Sequence, residues 1–311
     1  MSIFYKYYSY LPPEYFKRPT IKLASPMHLN DPFESLLPMD IKEYIEQFAD
    51  EHEGTLHYPK ENVISSLNSI MRSYGITSFS ETQRNLLMWA HYANQHQGIC
   101  IGYDTNLIFS EKQKKSLKSH AILRKVNYDN VRHEDFGNLK KMKSFSEIVN
   151  YILMKIMLTK GNDWIYEKEY RYIIELSKSD YVTLAKKDIK ENTHLNNRIR
   201  EMLDEEAITE SSTLNDSDVT CYIPSEGKDL YFGYLNFHKE ASYFIDINPK
   251  SIKRIYFGCR SPKEYSLEMI KSILECRNNF DGIYINKMQL DKKRFELRIP
   301  PETEEVIHPG T

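Results

Sequence analysis

Glycine scarcity is the feature that most narrows what this chain can fold into. Only 11 of its 311 residues are glycine, about half the usual share of roughly 7%. The closest pair along the sequence is Gly98 and Gly102. Dinucleotide-binding βαβ folds and P-loop folds need closely spaced glycines where the backbone approaches phosphate. The sequence therefore excludes both folds, and any nucleotide bound here would be held by side chains.

The order of helical and strand patterns favours an α+β fold. Residues 40–51 have helical spacing of apolar side chains, and the apolar run at 99–103 indicates a strand buried on both faces. Such segments alternate without a regular βαβ rhythm. We predict one domain over residues 1–311, built from short mixed or antiparallel sheets with packed helices. Residues 177–225 are polar and predict an insertion that is partly mobile.

Several further elements are predicted within this pattern. The apolar spacing predicts helices at 61–74, 81–97, 144–160, 195–203 and 262–276, and strands at 3–8, 20–24, 76–80, 122–128, 167–176, 230–237, 252–257, 282–286 and 295–299.

Charge and cysteine usage limit the partners of the chain. Lys and Arg total 42 against 44 for Asp and Glu, a net charge of −2, which gives no general attraction to nucleic acid or anionic membranes. No apolar run approaches the ~20 residues of a membrane span, and the first residues lack a signal-peptide pattern. The four cysteines form no C-x-x-C pair, so no metal is expected. We expect a cytoplasmic protein without a membrane partner.

One candidate segment joins a short strand to a helix. Ser78 and Ser80 end the strand, and the helix that follows brings Trp89, His91 and Tyr92 close together. Trp89 and Tyr92 are three residues apart and share a helix face. A cleft role and simple core packing of Trp89 are both open from the sequence alone.

Two other segments concentrate polar chemistry. Asn30 lies in an Asn-Asp-Pro turn, which either orders a loop or forms the rim of a cleft. Just past the middle of the chain, Glu167, Glu169 and Arg171 alternate along a predicted strand and therefore share one face. Two carboxylates and a guanidinium in one row suit acid–base catalysis or hydroxyl binding. A solvated strand with paired charges is the alternative.

Seven short blocks occur in one order between residues 4 and 176. They are FYKY (4–7), LASP (23–26), NDPFE (30–34), SFS (78–80), MWAHY (88–92), GICIGY (98–103) and WIYEKEYR (164–171). Together the blocks resemble a bacterial family catalogued as Domain of Unknown Function 2971. A weaker block lies at 252–258, whereas 177–225 is not explained by the family pattern.

The block order is also similar, more weakly, to that of ADP-ribosyltransferase folds. Those enzymes carry a basic or His residue on the first strand, a Ser, Thr or Tyr element on a middle strand and a Glu on a later strand. The analogy implies Lys6 for the first position, although Lys6 is neither His nor Arg. It implies Ser78 to Ser80 for the second and Glu167 or Glu169 for the third.

The implied activity is glycosyl transfer from NAD or NAD cleavage by an effector, in phage defence or a toxin system. NAD is then a substrate, no metal is needed, and the partner is an unknown macromolecular acceptor or defence-system component. We expect Glu169, and second Glu167, to be catalytic. The expected substrate-binding residues are Lys6, Asn30, Ser78, Ser80, Trp89, His91, Tyr92 and Arg171. Two alternatives stay open: a non-catalytic binding or sensor module, and a metal-dependent nuclease or hydrolase.

Overall fold

The chain has an α+β fold in the computed structural model, which confirms the predicted class. The structure describes residues 2–51, 62–132, 136–139, 141–142, 144–185, 187, 191–204, 209–211, 218–222, 241–300 and 305–307. Helices in these ranges are α1 (Met39–Glu51), α2 (Val63–Arg72), α3 (Leu86–Tyr92), α4 (Glu111–Leu117), α5 (Phe136–Leu139), α6 (Phe145–Met157), α7 (Thr193–Asp204) and α8 (Lys263–Glu275).

The strands are short, as the sequence patterns predict. They are β1 (Ile3–Tyr8), β2 (Thr20–Leu23), β3 (Tyr74–Ser80), β4 (Ile99–Asp104), β5 (Arg124–Lys125), β6 (Asn127–Tyr128), β7 (Thr159–Lys160), β8 (Glu169–Glu175), β9 (Tyr181–Ala185), β10 (Thr209–Ser211), β11 (Asp218–Tyr222), β12 (Ser242–Asp246), β13 (Ile252–Phe257), β14 (Ile283–Lys287), β15 (Gln289–Leu290), β16 (Leu297–Arg298) and β17 (Glu305–Ile307).

An eight-stranded sheet forms the centre of the fold, in the order β17-β14-β13-β4-β1-β3-β8-β5. Only β13 and β14 pair in parallel; the other neighbours are antiparallel. All six residues of β4 are buried, which confirms the prediction of a strand covered on both faces. Its neighbour β1 pairs along its whole length with β4 but meets β3 at the single pair Tyr5–Ser80. The two strands therefore diverge, and this opening positions the site.

A second, five-stranded antiparallel sheet has the order β10-β11-β9-β12-β2. It touches the large sheet through a bridge between Ala24 and Ile76. Gly75 permits this approach, because a Cβ on it would lie 2.6 Å from the Cβ of Leu23. Gly75 lies between the predicted helix at 61–74 and the predicted strand at 76–80, whereas the structure has it inside β3.

Apolar clusters pack both sides of the large sheet. One contains residues of both sheets, such as Phe79 and Val182, together with Met269 and Ile273 of α8. A second packs α1, α2 and α6 against β3 and β8. A third, smaller cluster surrounds Trp89. The opening between β1 and β3 is thus surrounded by packed elements.

The largest difference from the predicted elements lies in residues 177–225. Val182 and Leu184 of β9 are buried in the core, because β9 pairs with both β11 and β12. Residues 209–211 and 218–222, predicted as part of a mobile loop, are strands of the same sheet. The predicted helix at 195–203 is present as α7. The predicted strand at 230–237 lies outside the described residues.

Candidate functional site

A cavity of about 310 Å³, called cavity A, lies where β1 and β3 separate. Its lining comes mainly from β1, β3, β8 and the segment after β2, with further residues from β2, α3, β7 and the turn before β8. The volume is at the lower end of the range for small-molecule sites, roughly 300–1,000 Å³. The lining residues used below are Lys6, Asn30, Glu34, Ser78, Ser80, Tyr92, Lys160, Glu167, Glu169 and Arg171. Eight of these ten are residues that the sequence singled out.

Arg171 organises one wall of cavity A. The residue is 0% exposed, and its Nε and Nη2 donate to the two carboxylate oxygens of Glu169 at 2.7 and 2.8 Å. Nη2 also donates to Glu34, and Nη1 donates to the carbonyl of Met157 at 2.7 Å. Glu169 and Arg171 are two apart in β8 and share a face, as predicted. The fork of the guanidinium therefore fixes the Glu169 carboxylate in one orientation.

Glu167 enters the same wall by a different route. It ends a 3₁₀ helix at Asn162–Glu167, and Lys168 turns the chain with φ of 46° before β8 begins. The predicted strand at 167–176 is therefore two residues shorter at its start. Glu167 accepts a hydrogen bond from Lys160 Nζ at 2.7 Å and another from the hydroxyl of Tyr92. The turn, and not strand alternation, brings this carboxylate to the cavity.

The two neighbouring carboxylates have pKa values that shift in opposite directions. Burial by itself would raise the pKa of Glu169, but Arg171 and Lys160 outweigh burial and hold it at about 2. Burial dominates for Glu167, so its pKa is raised, although Lys160 opposes the shift. Two neighbouring carboxylates whose pKa values differ in this way take different roles in acid–base chemistry. Glu169 stays ionised, and Glu167 is the stronger base.

Lys6 lines cavity A from the face of β1 that lies opposite the side chain of Tyr5. Tyr5 pairs with Ser80, so Lys6 lies on the other side of the strand. Its amine donates to the carbonyl of Ser78 at 3.1 Å, across the gap between the strands. Burial lowers the pKa of Lys6 to about 8, and the nearby Glu169 carboxylate opposes that shift. The amine is thus held at the mouth of the divergence between β1 and β3.

The two serines of β3 position the acidic residues. Ser80 is buried, and its hydroxyl donates to the carbonyl of Glu167 at 2.7 Å. The hydroxyl of Ser78 also helps to lower the pKa of Glu169. Both serines lie where the sequence placed them, at the end of the strand. Ser80 thus fixes the backbone at Glu167, and Ser78 favours the ionised form of Glu169.

Asn30 and Tyr92 continue the network toward solvent. The Nδ2 of Asn30 donates to the hydroxyl of Tyr92 at 3.1 Å, and that hydroxyl donates to Glu167. The Asn-Asp-Pro turn forms as predicted, since Asp31 Oδ1 accepts from the backbone N–H of Phe33 at 2.9 Å. Asn30 is exposed while Tyr92 is half-buried. Asn30 therefore marks the rim of cavity A.

Trp89 and His91, both predicted as binding residues, do not line cavity A. Trp89 is 0% exposed and packs edge-on against Tyr7, with its Nε1 donating to the carbonyl of Gln83. It is a core residue because α3 presses this face against β1. His91 is exposed and lies against Tyr166. The predicted helix at 81–97 ends early, at Tyr92, and residues 94–96 have positive φ.

Glu34 and Lys160 are the site residues that sequence reasoning missed. Lys160 is 5% exposed, and its Nζ lies 3.5 Å from Glu169 and 4.0 Å from Glu34. It follows α6 in β7, whose pairing with β6 places it beside the cavity. No local pattern marks a buried lysine at a helix end. Glu34 belongs to the same NDPFE block as Asn30, and this proximity could have marked it as a candidate site residue.

Two kinds of feature are absent from the described residues. Within those ranges, no group of three or more His, Cys, Asp or Glu side chains has an arrangement suited to a metal ion. In the same part of the chain, no helix combines the length and the apolar character needed to cross a membrane.

Comparison with known proteins gives a match to a protein family. Residues 88–172 match the family described as "Protein of unknown function (DUF2971)", which confirms the predicted resemblance in that region. The match runs from the start of the MWAHY block to β8, and so includes Glu167, Glu169 and Arg171. It gives no support to the ADP-ribosyltransferase analogy. No curated protein and no solved structure matches the chain.

Proposed function

We propose that the protein is an enzyme that breaks the bond between nicotinamide and ribose in NAD, either to transfer ADP-ribose or to cleave NAD. The observation that supports this most is that Lys6, Ser80 and Glu169 line one cavity. They come from β1, β3 and β8, which are far apart in sequence and adjacent in the sheet. The proposal rests on this geometry and not on the family match.

Glu169 and Glu167 would have different roles in the cleavage of the nicotinamide–ribose bond. When the glycosidic bond breaks, its electron pair leaves with the nicotinamide nitrogen and the ribose acquires oxocarbenium character. Glu169, held ionised by Arg171, stabilises that positive charge and hydrogen-bonds a ribose hydroxyl. An acceptor hydroxyl or water then attacks the ribose carbon and transfers its proton to Glu167. The raised pKa of Glu167 suits it to be this base.

The charge of cavity A fits the rest of such a substrate. Four cationic side chains lie around it, against three carboxylates: Lys6, Lys22, Lys160 and Arg171 against Glu34, Glu167 and Glu169. Arg171 and Lys160 are already committed to carboxylates. Lys6, with its lowered pKa, and the exposed Lys22 are therefore the groups that would contact a diphosphate.

The test is incubation of the purified protein with NAD, followed by chromatography for nicotinamide. A parallel reaction with labelled NAD in cell lysate detects transfer to a protein or nucleic acid. We expect nicotinamide release by the wild type and a loss of about 10²–10⁴-fold in Glu167→Gln, which removes the base. Glu14→Gln, an exposed residue outside the cavity, serves as the control and keeps full activity.

The proposal fails if the folded wild type neither releases nicotinamide nor transfers label under any condition. The assigned role of Glu167 is wrong if Glu167→Gln releases nicotinamide as fast as Glu14→Gln. If label does transfer, the labelled molecule identifies the acceptor, which in a phage-defence or toxin setting belongs to the phage or host cell.

A further inference from the structure

A second cavity of about 300 Å³, called cavity B, lies next to cavity A and shares two of its residues, Glu34 and Lys160. Three segments form it: the loop 31–38, the turn 129–132 and the segment 156–164. Its volume equals that of cavity A within a few per cent. The chemistry of its lining is different.

Acidic side chains dominate cavity B. Four of them, Asp31, Glu34, Asp129 and Asp163, face two basic ones, Arg132 and Lys160. The amine of Lys160 is within 4.0 Å of three carboxylates, so its charge is already balanced. A diphosphate would be repelled from such a lining, whereas a cation would be attracted.

Among the described residues, two that line cavity B, Glu34 and Thr159, each carry one buried polar atom without a partner, and Glu34 also lines cavity A. Within the described part of the chain, Glu34 Oε2 and Thr159 Oγ1 have no hydrogen-bond partner. Glu34 is only 3% exposed, and its other oxygen already accepts from Arg171. Buried polar atoms are nearly always hydrogen-bonded in folded proteins, so each unpaired one needs an explanation. A ligand with N–H donors would supply the partner that Glu34 lacks.

The aromatic residues of cavity B add flat surfaces. Lys160 Nζ lies 4.5 Å from the ring centroid of Trp164, and the guanidinium of Arg132 lies 5.6 Å from that of Phe33. Both rings are partly exposed, and both already contact a cation of the protein itself. Aromatic faces attract cations, and most strongly when these are poorly hydrated and planar.

We propose that cavity B is a separate binding site for a planar organic cation that carries N–H donors. Its charge comes from Asp31, Asp129 and Asp163, its hydrogen-bond acceptor is Glu34, and its flat wall is Trp164. A pyridinium carboxamide and a guanidinium group share this chemistry. The site goes beyond the proposed function, because binding there requires no reaction in cavity A.

Calorimetric titration tests the site with a matched pair of probes. 1-Methylnicotinamide is a planar cation with an amide, and nicotinamide has nearly the same shape without the charge. We expect the cation to bind at least about tenfold more tightly. Asp129→Asn should weaken that binding about tenfold, because it removes one charge but keeps the oxygen that accepts from Val131.

Two control variants separate cavity B from the rest of the molecule. Glu14→Gln and Lys6→Met should leave the binding of 1-methylnicotinamide unchanged, since neither residue lines cavity B. If Asp129→Asn does not fold, Asp163→Asn on the exposed rim replaces it. Because Lys6 lines cavity A, Lys6→Met can abolish NAD cleavage without affecting this titration, so the two proposals fail independently.

Competition identifies the source of the cation, and either positive result supports the site. Displacement of 1-methylnicotinamide by NAD indicates that the pyridinium end of a dinucleotide enters cavity B. Displacement by millimolar guanidinium chloride, but not by NAD, indicates a guanidinium from a second molecule. The proposal is overturned if neither cation binds saturably. It is equally overturned if nicotinamide binds as tightly as its methylated cation, or if both aspartate variants bind like the wild type.

Discussion

Cavities A and B are nearly equal in volume and share Glu34 and Lys160. They differ in how the charges of their lining residues are balanced. In cavity A each buried carboxylate faces a cation, and Arg171 uses its Nε and both Nη atoms within the protein. In cavity B two polar atoms are unpaired among the described residues, and the lining is mainly acidic. The carboxylates of cavity A are therefore balanced by cations of the protein itself, whereas the proposed organic cation would balance the acidic lining of cavity B.

The contrast follows from the elements that build each cavity. Strands β1, β3 and β8 form cavity A, and their pairing fixes the positions of Ser80, Glu169 and Arg171. Loops and a 3₁₀ helix contribute most of cavity B. The regular spacing of β8 matches Glu169 with Arg171 within the fold. Substitutions in the two cavities should therefore differ in their cost to stability.

Replacing Arg171 should damage cavity A most. Arg171→Met leaves Glu169 and Glu34 buried with Lys160 as their remaining nearby cation, so we expect the free energy of unfolding to fall by about 3–5 kcal/mol. Urea denaturation followed by circular dichroism measures the loss. Arg294→Met, which breaks an exposed pair with Glu296, should cost less than about 1 kcal/mol. Equal losses in the two variants would mean that the buried ion pair does not hold cavity A together.

The two glutamates should give opposite dependences of stability on pH. Glu169 has a folded pKa of about 2, below its ordinary 4.5, so its stabilisation is present above pH 4.5 and is lost as the pH falls toward 2. Glu167 has a raised pKa, so its contribution is present below 4.5 and is lost as the pH rises through the folded value.

Urea unfolding between neutral pH and about pH 3 measures both effects. We expect the stability gap between wild type and Glu169→Gln to be on the order of 2–3 kcal/mol at neutral pH and to narrow below pH 4.5. Relative to Glu167→Gln, the wild type should lose stability as the pH rises. Parallel pH curves for the two variants would contradict the assignment of opposite shifts.

The smallest changes in stability are expected when a hydrogen-bonded hydroxyl and an unpaired hydroxyl are removed in turn. Ser80→Ala removes a buried hydroxyl that donates to Glu167 and should cost about 1 kcal/mol. Thr159→Val removes a hydroxyl without a partner in the described residues, keeps the side-chain shape, and should be neutral or slightly stabilising. Thermal denaturation of both variants measures the difference. A larger loss for Thr159→Val than for Ser80→Ala would show that cavity B is already satisfied in the free protein.

Much of the fold and of cavity A was predictable from local patterns. Strands β1, β3, β4, β13 and β14 and helices α1, α2, α6 and α8 lie within a few residues of their predicted positions, because apolar periodicity reports which face is buried. Glu169 and Arg171 were predicted to share a face, and they do. The strand β9 was missed because its flanking residues are polar, although its own Val182 and Leu184 are buried.

Local sequence patterns were sufficient to predict most of the core helices and strands and the shared face of Glu169 and Arg171. Both are local properties, set by side-chain periodicity and by turn chemistry such as that of Asn30 and Asp31. Tertiary structure alone decided that β1 and β3 diverge after one pair, that Trp89 is core, and that Lys160 reaches Glu167. It also pushed the pKa values of Glu167 and Glu169 apart, because burial and charge neighbours depend on distant parts of the chain.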